Sequence, residues 1–425
     1  MNRTQLQWQL GKLDNRRLYD LVLCSELEKL RDAKPIVYSH RKASFPIGTT
    51  SLDFDSTGQF LLSSGEDGSL ALWALDEGHS EGKLVNKRIQ FAAGESKESV
   101  NPSSRRVHVT ARSPGGKAPR FLTSVESRPP DSLQGPREAS HAFSVTSVKW
   151  YGPDNGLFFT GSNDHKVKIW DTNTFQVASS IDIAHRVAQL DTLGDLLAVA
   201  SEDSHPRLID LRSMSAAISL GVKRSDMRHG INAAKFSHTS SGAKPLLLAT
   251  GDDDGNVRVW DLRMGNRWLC DLTEADTLSK SHARCCNDLC WDPSGSLKLV
   301  TTGNDGKCKM WDLHEGGAKP QLVRQLGATD LTSNRFRRRT SHYLMWQGPY
   351  VFFNSDHGEI LVYQSHSGLL WHAFEYPLRV AQPERLRSTP KLQSMAIQTR
   401  LANTLGVRLV LGTDNTHGRI LEYRV

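Results

Sequence analysis

The stretch GDDDGNVRVWDLR (251–263) is a tight polar turn running into an alternating strand that closes on Trp260 and Asp261. Its turn residue Asp254 stands six positions before Trp260. The same spacing recurs in GEDGSLALWAL (65–75) with Asp67 and Trp73, and in GSNDHKVKIWDTN (161–173) with Asp164 and Trp170. It recurs again in GNDGKCKMWDLH (303–314) with Asp305 and Trp311, and in SEDSHPRLIDLR (201–212) with Asp203 and Ile209. Two looser copies, NSDHGEILVYQ (354–364) and GTDNTHGRILEYRV (412–425), close on Tyr363 and Tyr423. Each copy follows a short apolar run such as LFFTG (157–161), LLLATG (246–251) or KLVTTG (298–303), which reads as a buried strand.

Seven such units, several ending in Trp-Asp, predict an all-β chain, a seven-bladed WD-repeat β-propeller with a short N-terminal helical extension. Strand-like pieces upstream of the runs, among them TSVKW (146–150) and NDLCW (287–291), complete each unit as a four-stranded sheet. One such sheet cannot bury both faces by itself, so the blades must stack side by side. The last repeat ends two residues after Tyr423, and PIVYSHRKAS (35–44) reads as the strand that supplies its missing edge and closes the ring. The predicted division is a helical extension at 1–33 and a propeller at 34–425.

Three copies carry a histidine 23 to 25 residues before the turn aspartate: His141 with Asp164, His229 with Asp254, and His282 with Asp305. These predict a buried structural network of histidine, aspartate, a strand hydroxyl (Thr250 and Thr302 are candidates) and the indole N–H of Trp170, Trp260 or Trp311. A catalytic His–Asp pair is the alternative, but one active site does not recur in three blades. The chain has no phosphate-binding glycine loop, no His-Glu-x-x-His motif and no nucleophile elbow, so neither an enzyme nor a cofactor is expected.

The formal net charge of +7 is concentrated: residues 83–138 hold 11 Lys and Arg against 5 Asp and Glu. This Ser-, Pro- and Gly-rich stretch spreads Trp73 and Trp170 to 97 residues apart, and reads as a basic insertion disordered at its centre. With NRFRRR (334–339) it offers either weak nucleic-acid contact, a nuclear localisation signal, or solvated loop charge. No run approaches the ~20 apolar residues of a membrane span. The N-terminus lacks a secretory core, and six cysteines without metal-site spacing read as buried thiols.

Ahead of the repeats, Leu6, Leu10 and Leu13 share one face of a short helix that Thr4 caps. A second helix starts at Asp14 or Asn15 with Tyr19, Leu23, Leu27 and Leu30 as its stripe. This pair packs either on the ring or in a partner's groove. In the fourth repeat Arg258, Asp261 and Arg263 cluster at the strand end, and Arg212 holds the place of Arg263 one repeat earlier. Arginines there are either ordinary surface residues or forks for a partner's carboxylates and carbonyls.

The box D-x-x-V-R-x-W-D-x-R from Asp254 to Arg263 resembles that of propellers serving as substrate receptors of cullin-RING ubiquitin ligases. The run SVTSVKWYGPDNGLFFTGSNDHKVKIWDTNT (144–174), the degenerate LIDLR repeat, and LATGDDDGNVRVWDLR resemble, in that order, the Cockayne syndrome A protein family and its yeast relatives. The resemblance implies that Arg263 supports docking to the ligase's propeller adaptor, with Leu6, Leu10, Leu23 and Leu27 of a helix-loop-helix entering the adaptor's groove. It implies a nuclear, non-enzymatic receptor in transcription-coupled nucleotide excision repair. Its partners would be RNA polymerase II-associated repair factors, including a DNA translocase, with the chain a monomer inside a larger complex. Asn173 departs from the pattern, so the second repeat has no docking arginine. The reading from the residues alone leaves a second possibility, a WD-repeat scaffold in chromatin or RNA processing with no ligase link.

Overall fold

The computed structural model describes residues 15–39, 47–75, 120–125, 140–213, 218–221, 227–237, 246–264, 268–274, 280–314, 319–327, 343–355, 357–377, 390–399, 406–414 and 418–425. They form seven four-stranded antiparallel sheets. The first blade comprises Thr49–Phe54, Phe60–Gly65, Leu70–Ala74 and Arg120–Val125. The second comprises Val145–Trp150, Leu157–Ser162, Lys166–Asp171 and Gln176–Asp182. The third runs Val187–Leu193, Leu196–Ser201, Arg207–Asp210 and Ile218–Ser219. The fourth runs Ile231–Phe236, Leu247–Asp252, Val257–Asp261 and Trp268–Leu272. The fifth is Cys286–Trp291, Lys298–Gly303, Cys308–Asp312 and Gln321–Leu326. The sixth is Leu344–Gln347, Tyr350–Asn354, Ile360–Gln364 and Leu370–Phe374. The seventh takes Leu392–Gln398, Arg408–Thr413 and Arg419–Arg424 from the chain's end, and Ile36–Ser39 from near its start as the outer edge.

The segment 83–138 departs from expectation. It is not all insertion, because Arg120–Val125 pairs with Leu70–Ala74 as the first blade's outer strand. A four-stranded blade needs that edge, and the alternating RFLTSV can supply it. The rest of that segment, and the basic run 334–339, lie outside the described residues.

The apolar core shows why the blades stack. Leu62, Leu70 and Leu72 of the first blade pack with Val145, Trp150, Phe158 and Trp170 of the second. Phe159 and Ile169 of the second meet Leu190, Val199 and Ile209 of the third. The remaining clusters likewise bridge neighbours, and the ring closes where Leu61 and Trp73 meet Val410 and Ile420. Near the axis, polar side chains of one inner strand accept N–H groups of the next. Asp53 takes Trp150 N at 2.8 Å, Ser147 takes Leu190 N at 3.1 Å, Asp191 takes Phe236 N at 2.8 Å, and Asp288 takes Leu344 N at 2.9 Å. Across the bore, the Gln189 amide donates to Asp288 at 2.8 Å and the Tyr343 hydroxyl donates to the Thr50 carbonyl.

The helix Asn15–Leu30 lies against the sixth and seventh blades. Leu23, Leu27 and Leu30 are spaced four and three residues apart, so they share one face, and all three are buried against Tyr350, Phe352, Leu392 and Leu409. Lys29 sits in the last turn, where the helix dipole favours a cation, and pairs with Glu26 at 2.6 Å. Pro35, which cannot continue a helix, precedes the closing strand. Truncating Leu27 to alanine should cost about 2–5 kcal/mol of stability through the cavity it leaves. A urea titration of the purified variant reads this directly, and an unchanged midpoint would show that the helix is not part of the cooperative core.

Candidate docking face

His141 and His282 are buried inside the second and fifth blades. His141 bonds Asp164 through Nδ1 at 2.8 Å and the Thr160 hydroxyl through Nε2 at 2.6 Å. His282 does the same with Asp305 at 3.0 Å and Thr301 at 2.8 Å. The indoles of Trp73, Trp170, Trp260 and Trp311 donate to Ser63, Thr160, Thr250 and Thr301 at 2.8, 2.8, 2.9 and 3.0 Å. Burial pushes the His141 pKa below its ordinary value, against the pull of Asp164.

Two members of the expected network are different. Thr302 is not the hydroxyl of the fifth blade. Leu299 pairs with Trp311, so Thr301, two residues on, shares the tryptophan's face, while Thr302 points away and bonds the Asp288 carbonyl. His229 does not enter the fourth blade either. Counting back from the inner strand, the place of His141 and His282 falls on Met227, which is buried beside Trp260. His229 lies two residues too late and is about half exposed, 3.7 Å from Asp254, whose closer partner is Lys280 at 2.7 Å.

The turns joining third and fourth strands carry the arginines. In the second to fifth blades the Trp-Asp aspartate, or its equivalent, accepts the N–H two residues on: Asp171 from Asn173, Asp210 from Arg212, Asp261 from Arg263 and Asp312 from His314. This Asx turn aims the residue at that position out of the ring's end. Arg263 adds two side-chain bonds, Nε to Asp261 Oδ1 at 2.9 Å and Nη2 to Oδ2 at 2.6 Å, while its side chain stays 69% exposed. That fork holds the Asp261 carboxyl below the usual carboxylate range. A guanidinium has five N–H groups, so two bonds to Asp261 orient Arg263 without exhausting it. Arg212 is placed similarly, 3.4 Å from Asp210 and 3.6 Å from Asp195, and is 73% exposed. Asp195, which no sequence motif marks, also accepts the Tyr151 hydroxyl at 2.5 Å and so ties the second blade to this corner.

The other expected docking residues are placed differently. Arg258 is not presented to a partner. It is buried, bonds Asp252 at 2.8 Å, lies 3.5 Å from Asp271 and stacks 4.9 Å from the Trp268 ring. Its position inside the strand turns it into the blade rather than out of its end. Leu23 and Leu27 are 2% and 0% exposed and pack on the ring, which uses the face that a groove would have taken. Leu6 and Leu10 lie outside the described residues. Leu23 nevertheless locates the helix: it touches Gly348, in the turn joining first and second strands of the sixth blade. In a four-stranded meander that turn lies at the same end as the turns carrying Arg212 and Arg263.

Comparisons with known proteins agree with this architecture. The model for "WD domain, G-beta repeat" matches residues 36–74, 136–171, 223–261 and 275–312. The solved β-propeller domain of Cps50 (Swd1) from Myceliophteria thermophila superposes with a TM-score of 0.57 over 89% of this chain and 96% of that one, at 16% identity, which speaks for the fold alone. The WD repeat-containing protein ATCSA-1 of Arabidopsis thaliana is 34% identical over 131 residues, 30% of this chain and 27% of that protein. Radiation-sensitive protein 28 of Saccharomyces cerevisiae is 31% identical across 96% of this chain and 97% of its own length. An identity of that level, sustained from end to end on a seven-bladed ring, means that the chain belongs to the Cockayne syndrome A family of WD-repeat proteins, together with Radiation-sensitive protein 28.

Proposed function

We propose that this protein is a non-enzymatic DNA-repair receptor of the nucleus, linking a target to a cullin-RING ubiquitin ligase during transcription-coupled nucleotide excision repair. The repair setting is supported by the relationship to Radiation-sensitive protein 28. The ligase link is supported by one structural observation. Arg263 is exposed at the ring's end, and its guanidinium is oriented by two bonds to Asp261. Arg212 repeats the arrangement in the neighbouring blade. Paired, pre-oriented arginines suit the carboxylates and carbonyls of a propeller adaptor, because less freedom is lost when they bind.

The test is affinity purification of the tagged chain, with mass spectrometry of the eluate, beside Arg263→Glu and the double variant Arg212→Glu/Arg263→Glu. Both sites are exposed, so the fold should survive with a melting temperature within a few degrees of the parent. Reversing the charge removes the guanidinium fork and sets a second carboxylate against Asp261. The cullin and its adaptor should fall by about tenfold or more in the single variant. If the parent recovers chromatin or RNA-processing proteins and no cullin, the protein is a WD-repeat scaffold without a ligase.

A further inference from the structure

Two residues before the side chain that closes the third strand, blades two to five each carry a cation: Lys168, Arg207, Arg258 and Lys309. The first, sixth and seventh blades have Ala71, Leu361 and Leu421 there. These cations are used from beneath. Lys168 donates to the Ser140 carbonyl at 2.8 Å and Lys309 to the Ser281 carbonyl at 2.6 Å, both in the loop that enters the blade. Arg207 and Arg258 hold the neighbouring turn through Asp203 and Asp252, at 2.7 and 2.8 Å. Lys168, Arg258 and Lys309 are buried, where a cation is costly unless bonded, and Arg207 is partly buried, so these contacts tie the loops to their blades.

The pinned loops also interlock from blade to blade. The Ile183 N–H bonds the His165 carbonyl at 2.8 Å, Ile231 N bonds Asp203 O at 3.2 Å, and His282 N bonds Gly255 O at 3.0 Å. Gly68 and Gly255, at φ of 86° and 89°, sit where a Cβ would strike the carbonyls of the next blade's loop. Strand alternation places this shelf at the end of the ring opposite Arg263 and the helix. Exposed on it are Phe143, at 63%, with His165, Arg186, Arg228, His229 and Arg284. Beneath them the carboxylates Asp164, Asp252 and Asp305 are engaged by His141, Arg258 and His282.

We propose that this shelf, from Phe143 to Arg284 over blades two to five, docks an acidic polypeptide segment that places an apolar side chain on Phe143. Arginines on a rigid base recognise separate carboxylates by their forked geometry. Acidic residues interrupt the positive field: Glu202 lies 3.8 Å from Arg186, and Asp254 lies 3.7 Å from His229. A continuous phosphate backbone would meet those charges, whereas a peptide can step over them, which favours protein over nucleic acid. The shelf and the Arg263 end are separate surfaces, so the use of one does not depend on the use of the other.

The test uses the full chain and a fluorescein-labelled peptide of glutamates carrying two leucines, followed by anisotropy, with a lysine–leucine peptide and oligo-dT as comparison ligands. Saturable binding of the acidic peptide is expected, weakened about tenfold or more by Arg186→Glu/Arg228→Glu/Arg284→Glu and several-fold by Phe143→Ala. The glutamine triple variant should move in the same direction, and circular dichroism should show all variants folded. Arg263→Glu should bind as the parent does, which separates failure here from failure of the ligase link. Equal binding by the triple variant, no saturable binding, or tighter binding of oligo-dT or the lysine peptide would overturn the proposal.

Discussion

Arg408→Ala is expected to cost about 3–5 kcal/mol of folding stability, a large share of what a domain has. Arg408 lies in the second strand of the seventh blade, fully buried, with its Nε 2.9 Å from Glu422 Oε1 in the third strand. Its Nη1 also donates to the Gly58 carbonyl at 3.1 Å, in a turn of the first blade. The residue therefore acts where the ring closes on itself. Alanine would leave Glu422 charged, buried and without its guanidinium, and would release the bond across the seam. Guanidinium-chloride denaturation measures the loss. The double replacement Arg408→Met/Glu422→Leu should recover most of it, since an apolar pair of similar volume carries no desolvation penalty. If the double variant is as unstable as Arg408→Ala, volume and not charge is what matters at the seam.

Asp305→Ala should be nearly as damaging, at about 3 kcal/mol, because the carboxylate serves three donors at once. It accepts His282 Nδ1 at 3.0 Å, Ala283 N at 3.1 Å and Lys307 N at 3.2 Å. Losing it strands the buried histidine that orients Thr301 beneath Trp311. The same group sets an acid limit. Burial raises the Asp305 pKa, but the His282 charge and hydrogen bond, the Ala283 N–H and Lys309 outweigh it and bring the pKa down to about 2. A carboxylate with a depressed folded-state pKa binds fewer protons folded than unfolded. Its contribution, about 2 kcal/mol, is therefore complete above the ordinary value near 4 and is lost as pH falls toward 2. His141, whose pKa is also lowered, acts in the same sense from higher pH, because the unfolded chain takes up a proton that the folded blade resists. Melting curves between pH 7 and pH 3 should show the parent losing stability on acidification, and Asp305→Asn losing less of it below pH 4. Parallel curves for the two would mean that Asp305 does not titrate as its surroundings imply.

Local pattern reached the blades but not every partner inside them. Thr301 and not Thr302, and Met227 in place of a histidine, are settled by counting along strands. The bonded hydroxyls all stand ten residues before their tryptophans, so this part of the pattern is present in the sequence and needs only the strand register to be read. Asp195 beside Arg212 is another matter, since nothing near it in sequence announces the meeting. The strand Arg120–Val125 is hidden inside a basic segment, because a single edge strand carries too weak an alternation to stand out from it.

What the sequence determined by itself was the repeat: turn aspartate, alternating strand and closing tryptophan lie within a dozen residues, so their physics is local and survives in the written order. It also carried the family, because WD boxes in a particular succession are linear information. Tertiary structure alone decided which charges remain available. Arg258 and Arg263 are five positions apart on similar chemistry, yet one is buried against Asp252 and Trp268 and the other stands in solvent. The same is true of Leu23 and Leu27, whose stripe suited a partner or the ring equally until the sixth and seventh blades covered it. Exposure is set by what the ring brings together from distant parts of the chain, and no local spacing encodes that.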